Sequence, residues 1–141
     1  MSLKFRNAIG IDCGINNGLA IWDTVIKEFV YLKTVDLHLL FEIVKVYSET
    51  KDSHVFIENP NTWVKFKGTT NSNSRLQGAG AVKQTYKHIV QFLEYQSIPF
   101  TPTRLQGTLK KLSQETFKKI TNYDKSTNEH SRDAGMLVYN R

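Results

Sequence analysis

The sequence predicts an α/β fold: a five-stranded mixed sheet, with a three-strand antiparallel meander plus two parallel strands, flanked by helices. Three observations carry that prediction. Three strand-like segments follow one another through short links over residues 5–35, the signature of an antiparallel meander. A helical pattern then precedes a second apolar run, Val55-Phe56-Ile57-Glu58, and is long enough for the crossover that a parallel pair needs. Further helical patterns bracket a short, proline-flanked strand near residue 100.

The elements follow in order. Phe5 to Asp12 is the first strand, central and buried because its apolar residues run nearly without a break. Gly18 to Thr24 and Lys27 to Val35 are the next two, joined by a tight turn near Asp23-Thr24. Asp36 is placed to cap a helix through Ser48, whose Leu39, Leu40, Ile43, Val44 and Tyr47 fall at helical spacing. His54 to Glu58 is the fourth strand, parallel to the first, which brings Asp12 and Glu58 to one edge of the sheet. In open α/β sheets, ligands commonly bind outside the carboxyl ends of the strands.

Asn59-Pro60-Asn61 ends that strand, and residues to Asn73 are polar, basic and turn-rich. Trp63 and Phe66 alternate there with Lys65 and Lys67. Aromatics among lysines suit base stacking with phosphate contacts; the competing reading tucks Trp63 back into the core. Ser74 to Tyr95 forms a long helix with Leu76, Val82, Tyr86, Ile89, Val90 and Leu93 as apolar positions. Gly78-Ala79-Gly80-Ala81 near its start would let another backbone approach closely, but it does not directly follow a strand and completes no nucleotide-binding fingerprint. Ile98 to Thr103 is the fifth strand. A basic helix is expected over Leu109 to Thr121, carrying Lys110, Lys111, Lys118 and Lys119 around Leu112, Phe117 and Ile120. Asn122 to Thr127 is a loop, and Asn128 begins the last helix, with Ala134, Met136, Leu137 and Val138. With no internal repeat, low-complexity tract or linker, residues 1–141 read as one domain.

Composition narrows the class. At 141 residues, with 40% hydrophobic and 23% charged, the chain is expected to be a soluble globular protein with a real core. The single cysteine, Cys13, excludes an intramolecular disulfide framework and a cysteine-rich zinc site, and reads as a packed, inert thiol. No apolar run approaches membrane-spanning length, and the N-terminal stretch has no signal-peptide core, so a cytoplasmic location is expected. Charge is uneven: residues 1–60 carry six Lys/Arg against eight Asp/Glu, whereas residues 61–141 carry thirteen against five. A basic half joined to an acid-bearing half suggests a polyanion held over a metal centre; a solvated basic face is the alternative.

The acids are the chemical signal. Aspartate is a poor strand residue, and a carboxylate is costly to bury without a partner. Asp12 and Glu58 each end an apolar run, and His130-Ser131-Arg132-Asp133-Ala134-Gly135 opens an apolar stretch. Taken singly, Asp12 could cap a turn and Glu58 could sit in solvent; together the three acids read as ligands for divalent metal. His130 and Asp133, three apart, share a helix face, and the small Ala134 and Gly135 permit that helix to press on the sheet. Glu129 is an alternative fourth acid, but it points roughly 100° from His130. Carboxylates favour Mg²⁺ or Mn²⁺, with imidazole better tolerated by Mn²⁺. Two such ions about 4 Å apart can activate water and stabilise the leaving oxygen of a phosphodiester.

This order of elements and motifs resembles the RuvC family of Holliday-junction resolvases, in particular its compact phage-type members. The resemblance spans nearly the whole chain: Ile9-Gly10-Ile11-Asp12-Cys13-Gly14, Ile57-Glu58, Arg75-Leu76-Gln77-Gly78 with Gly80-Ala81, Pro102-Thr103-Arg104, and His130-Ser131-Arg132-Asp133-Ala134. It implies the ribonuclease H fold, two Mg²⁺ ions with Mn²⁺ as a substitute, Asp12 shared by both ions, Glu58 and Asp133 as further ligands, and His130 in the remaining position. It also implies cleavage of four-way junctions or other branched DNA by a homodimer, since resolving a junction takes two symmetric nicks. The family's DNA-contacting lysines have no unique counterpart; Arg104, Lys110 and Lys111 are the candidates, with Arg75, Lys118 and Lys119 as further expected DNA contacts. Trp63 or Phe66 could replace its base-stacking residue.

Other classes compete. Actin-like ATPases and sugar kinases open with a similar strand and Asp-x-Gly, but need a second phosphate loop and an adenosine site for which the chain leaves no room. A non-catalytic nucleic-acid-binding module gains little from clustered acids facing phosphates. A ribonuclease H or transposase-type nuclease is the main rival, because fold does not determine which substrate is cut.

Overall fold

The computed structural model describes residues 5–62 and 72–141. Five strands, β1 (Asn7–Asp12), β2 (Asn17–Asp23), β3 (Glu28–Val35), β4 (Ser53–Glu58) and β5 (Phe100–Thr103), form one sheet in the order β3-β2-β1-β4-β5. The meander β1–β2–β3 is antiparallel, while β4 lies parallel to β1 and β5 parallel to β4. Around the sheet lie α1 (Leu37–Thr50), α2 (Ser72–Tyr95), α3 (Gln114–Thr121) and α4 (Glu129–Val138).

β1 is central and buried along its whole length because both faces of the sheet are covered. On one face Ile9, Ile11, Leu19, Ile21, Val55 and Ile57 pack with Leu40 and Val44 of α1 and Ile89 and Leu93 of α2. On the other, Ala8, Ala20, Trp22 and Phe56 pack with Phe117 of α3 and with Ala134, Leu137 and Val138 of α4. The alternation along each strand thus turns one apolar run into two cores.

Two glycines bring α4 down onto that second face. A Cβ at Gly10 would collide with the Ala134 carbonyl oxygen, and one at Gly18 with the His130 carbonyl oxygen. α4 can therefore lie directly on β1 and β2. The expected close approach at Gly78 and Gly80 is not found: both are exposed, with no described atom within 4 Å of where a Cβ would be. Of the two small residues on α4, Ala134 faces the sheet, whereas Gly135 lies beneath the Phe117 ring and Leu32.

The single basic helix expected over residues 109–121 is in fact broken. A 3₁₀ turn spans Gly107–Leu109, and α3 begins only at Gln114, capped by Ser113, whose side chain accepts from Thr116 N–H. Lys111 between them has a left-handed backbone, φ 53°, which no continuous helix allows. Lys110 and Lys111 consequently leave the helix that carries Lys118 and Lys119. Smaller differences lie at element ends: Phe5 precedes β1 and packs its ring against His54 and Phe56, and Asp36 sits at the N-cap of α1 without a side-chain cap bond. Asn128 caps α4 in a reciprocal box with Ser131. Among the described residues, no helix is long and apolar enough to cross a membrane.

Candidate active site

Asp12 and Glu58 are the last residues of β1 and β4, and the parallel register pairs Ile11 with Ile57 just before them. Both carboxylates therefore leave the sheet at the same edge, on neighbouring strands. Both residues are buried, at 8% and 6% exposure. The first turn of α4, seated on Gly10 and Gly18, brings His130 and Asp133 to that edge. His130 Nδ1 stands 3.2 Å from Asp12 Oδ2, within hydrogen-bond distance. Asp133 is buried at 9% exposure, and its Oδ1 accepts the Lys111 backbone N–H at 2.8 Å.

The acids feel one another's charge. Burial is the main cause raising the Asp12 pKa; the charges of Asp133 and Glu58 raise it further, while the His130 hydrogen bond opposes them. The Asp133 pKa is also raised, first by burial and then by Glu58 and Glu129, against the pull of the Lys111 amide and Lys110. The Lys110 ammonium lies 3.1 Å from Glu58 Oε1. Buried carboxylates in mutual repulsion create demand for positive charge at this edge.

The donor chemistry of Asp12, Glu58 and Asp133, hard buried oxygens, fits a divalent cation, with His130 alongside. As the side chains stand, no group of three or more His, Cys, Asp or Glu among the described residues converges on one ion position. Cys13, next to Asp12, contributes no nucleophile: burial, reinforced by the charges of Asp12 and Glu58, pushes its thiol pKa up.

The remaining sequence-derived candidates are spread out. Lys110 and Lys111 touch the acids; Lys118 and Lys119 are exposed on α3, Lys119 4.0 Å from Glu115. Arg104 is exposed immediately after β5, which pairs Thr103 with Glu58. Glu129 is exposed and acts on Asp133 only through its charge. Trp63, Lys65, Phe66 and Lys67 lie outside the described residues, and of Arg75 only the backbone, in α2, is described. Sequence reasoning missed Arg132, whose Nε donates to the Leu112 carbonyl at 2.6 Å and whose Nη1 donates to Thr127 Oγ1 at 3.0 Å. An arginine beside a site aspartate was the available signal.

Neither a protein-family model nor a curated protein sequence matches the chain. Among solved structures it is similar to T. thermophilus RuvC in complex with Holliday junction substrate, with a TM-score of 0.60 at 12% sequence identity, over 95% of this chain and 90% of that one. At that identity the likeness shows the fold: the sheet of three antiparallel and two parallel strands with its flanking helices is ribonuclease H-like.

Proposed function

We propose that this chain is a divalent-metal-dependent, structure-selective endonuclease that cuts four-way junctions or other branched DNA. The observation that carries the reading is the placement of Asp12, Glu58 and Asp133 at one sheet edge, each buried and two of them with raised pKa values. A protein that only bound DNA would gain nothing from carboxylates repelling phosphates there. The RuvC structure, which holds a Holliday junction, supports branched DNA as the substrate class.

Asp12, Glu58 and Asp133 would hold the metal, two Mg²⁺ or Mn²⁺ ions, with His130 as the fourth group. When bound, such a pair supplies an activated water and charge stabilisation on the leaving oxygen. The chain's own residues do the rest. His130 shares a hydrogen bond with Asp12 that fixes the carboxyl's orientation. The Lys111 amide fixes Asp133 in the same way. Lys110, beside Glu58, puts a positive charge where a phosphate must approach three acids. The basic residues of the second half, with Lys118 and Lys119 exposed on α3, hold the polyanion by its backbone. Two copies would act on one junction, since each site makes a single nick.

The test is a cleavage assay on four-way junction, flap, plain duplex and RNA–DNA hybrid in Mg²⁺ or Mn²⁺. Preferential nicking of the branched substrates supports the reading. Cleavage confined to the hybrid makes the protein a ribonuclease H, and binding without cleavage of any substrate makes it a binding module.

A further inference from the structure

Three consecutive residues between the 3₁₀ turn and α3 are each tied to the acidic site. Lys110 reaches Glu58 through its side chain, Lys111 gives its amide to Asp133, and the Leu112 carbonyl accepts from Arg132. Lys111 holds this course in a left-handed conformation, φ 53°, which side-chain-bearing residues seldom adopt unless their surroundings impose it. The imposing contact is identifiable. Arg132 is half-buried on α4, next in sequence to Asp133, and its guanidinium spans Leu112 and Thr127 with two hydrogen bonds of 2.6 and 3.0 Å. Thr127 lies just before the Asn128 cap of α4, and its own N–H donates to the Gln114 side chain at the start of α3. One planar, permanently charged group with donors in a fixed fork therefore ties the strap to the helix that carries Asp133.

We propose that Arg132 is a positioning residue for the catalytic acids: it locks the Lys110–Leu112 strap onto α4, and the strap in turn fixes Asp133 by an amide and Glu58 by an ammonium. Its consequence for cleavage rests on the nuclease reading above; the lock itself does not. Lysine substitutes only in part, because its ammonium is a point charge without the fork.

Amide hydrogen exchange in the metal-free protein, with chelator present, reads the lock directly. In Arg132→Met the Lys111 amide should exchange faster by about tenfold or more, the scale of one hydrogen bond to a charged group. The Phe117 amide, bonded to the Ser113 carbonyl, should keep its rate and report that α3 is intact. Arg132→Lys should loosen Lys111 to an intermediate degree, and Thr127→Val, which removes one contact of the fork, should do so as well. These two milder changes carry the test if Arg132→Met does not fold. On a four-way junction, kcat should fall about tenfold with KM within about twofold, the split expected when reacting groups are misplaced but binding is intact. Unchanged Lys111 exchange in the variants overturns the lock, and faster exchange with unaltered kcat overturns its positioning role. If the parent protein cuts no substrate, the nuclease reading fails, and the exchange rates still decide whether Arg132 holds the strap.

Discussion

Gly10 of β1 lies so close beneath Ala134 of α4 that a single methyl on Gly10 would meet the Ala134 carbonyl oxygen. The obstacle is backbone, so no rotamer change relieves it. Gly10→Ala must push α4 off the sheet, and overpacking of this kind costs about 1–3 kcal/mol. We expect a melting temperature lower by roughly 3–10 °C, together with loss of the His130–Asp12 contact. An unchanged melting curve would show that α4 is not seated on β1 as described.

The opposite result is expected at Gly80. No described atom lies within 4 Å of its missing Cβ, and it sits inside α2, where glycine costs about 0.5–1 kcal/mol relative to alanine. Gly80→Ala should therefore raise the melting temperature by a few degrees, ~2 °C. A drop would mean that something packs on this stretch of α2.

These two glycines show what was legible. The sheet could be read because β1 and β4 are apolar runs of strand length, each ending on an acid, and because a helix between strands dictates a parallel crossover. The meander, the α4 cap at Asn128 and the meeting of Asp12 with Glu58 follow from the same patterns. Which glycines a helix presses on could not be read, because a glycine's role depends on what lies opposite it. Nor could the break before α3. Leu112, Phe117 and Ile120 keep an amphipathic pattern across it, while the left-handed Lys111 donates its amide to Asp133 and its neighbour Leu112 accepts from Arg132, tertiary bonds that leave no local trace.

Acid stability should depend on Asp23. Its carboxylate accepts Arg6 Nε at 2.9 Å and the N–H groups of Val25 and Ile26, and the Arg6 hydrogen bond is the main cause holding its pKa down, to about 2. A depressed carboxyl pKa contributes stability above its unfolded value of about 3.9, which is lost as pH falls through the folded value. Asp23→Asn should destabilise the protein by about 1–3 kcal/mol at neutral pH, and the gap should narrow between pH 4 and pH 2. A gap independent of pH over that range would remove the ion pair from the account.

The broken helix separates two kinds of lysine. Lys118 and Lys119 are exposed on α3, and each phosphate contact contributes roughly 0.9 to the log–log salt slope on B-DNA. Lys118→Ala and Lys119→Ala should each flatten the salt dependence of DNA binding by about that amount. Lys110, held on Glu58 at 3.1 Å, should instead lower cleavage more than binding when replaced by alanine. If neither α3 substitution changes the slope, that basic surface is only solvated.

Asp12 anchors the proposed metal-dependent cut, and Asp12→Asn removes that anchor. The substitution relieves repulsion with Asp133 and Glu58, so the variant should melt no lower than the parent and bind a four-way junction with the same affinity. The decisive measurement is the single-turnover cleavage rate of that junction in Mg²⁺ and in Mn²⁺, for parent and variant side by side. We expect cutting by the parent in either ion, none in chelator, and none by Asp12→Asn at saturating protein. Cutting by Asp12→Asn at the parental rate would contradict the role of Asp12.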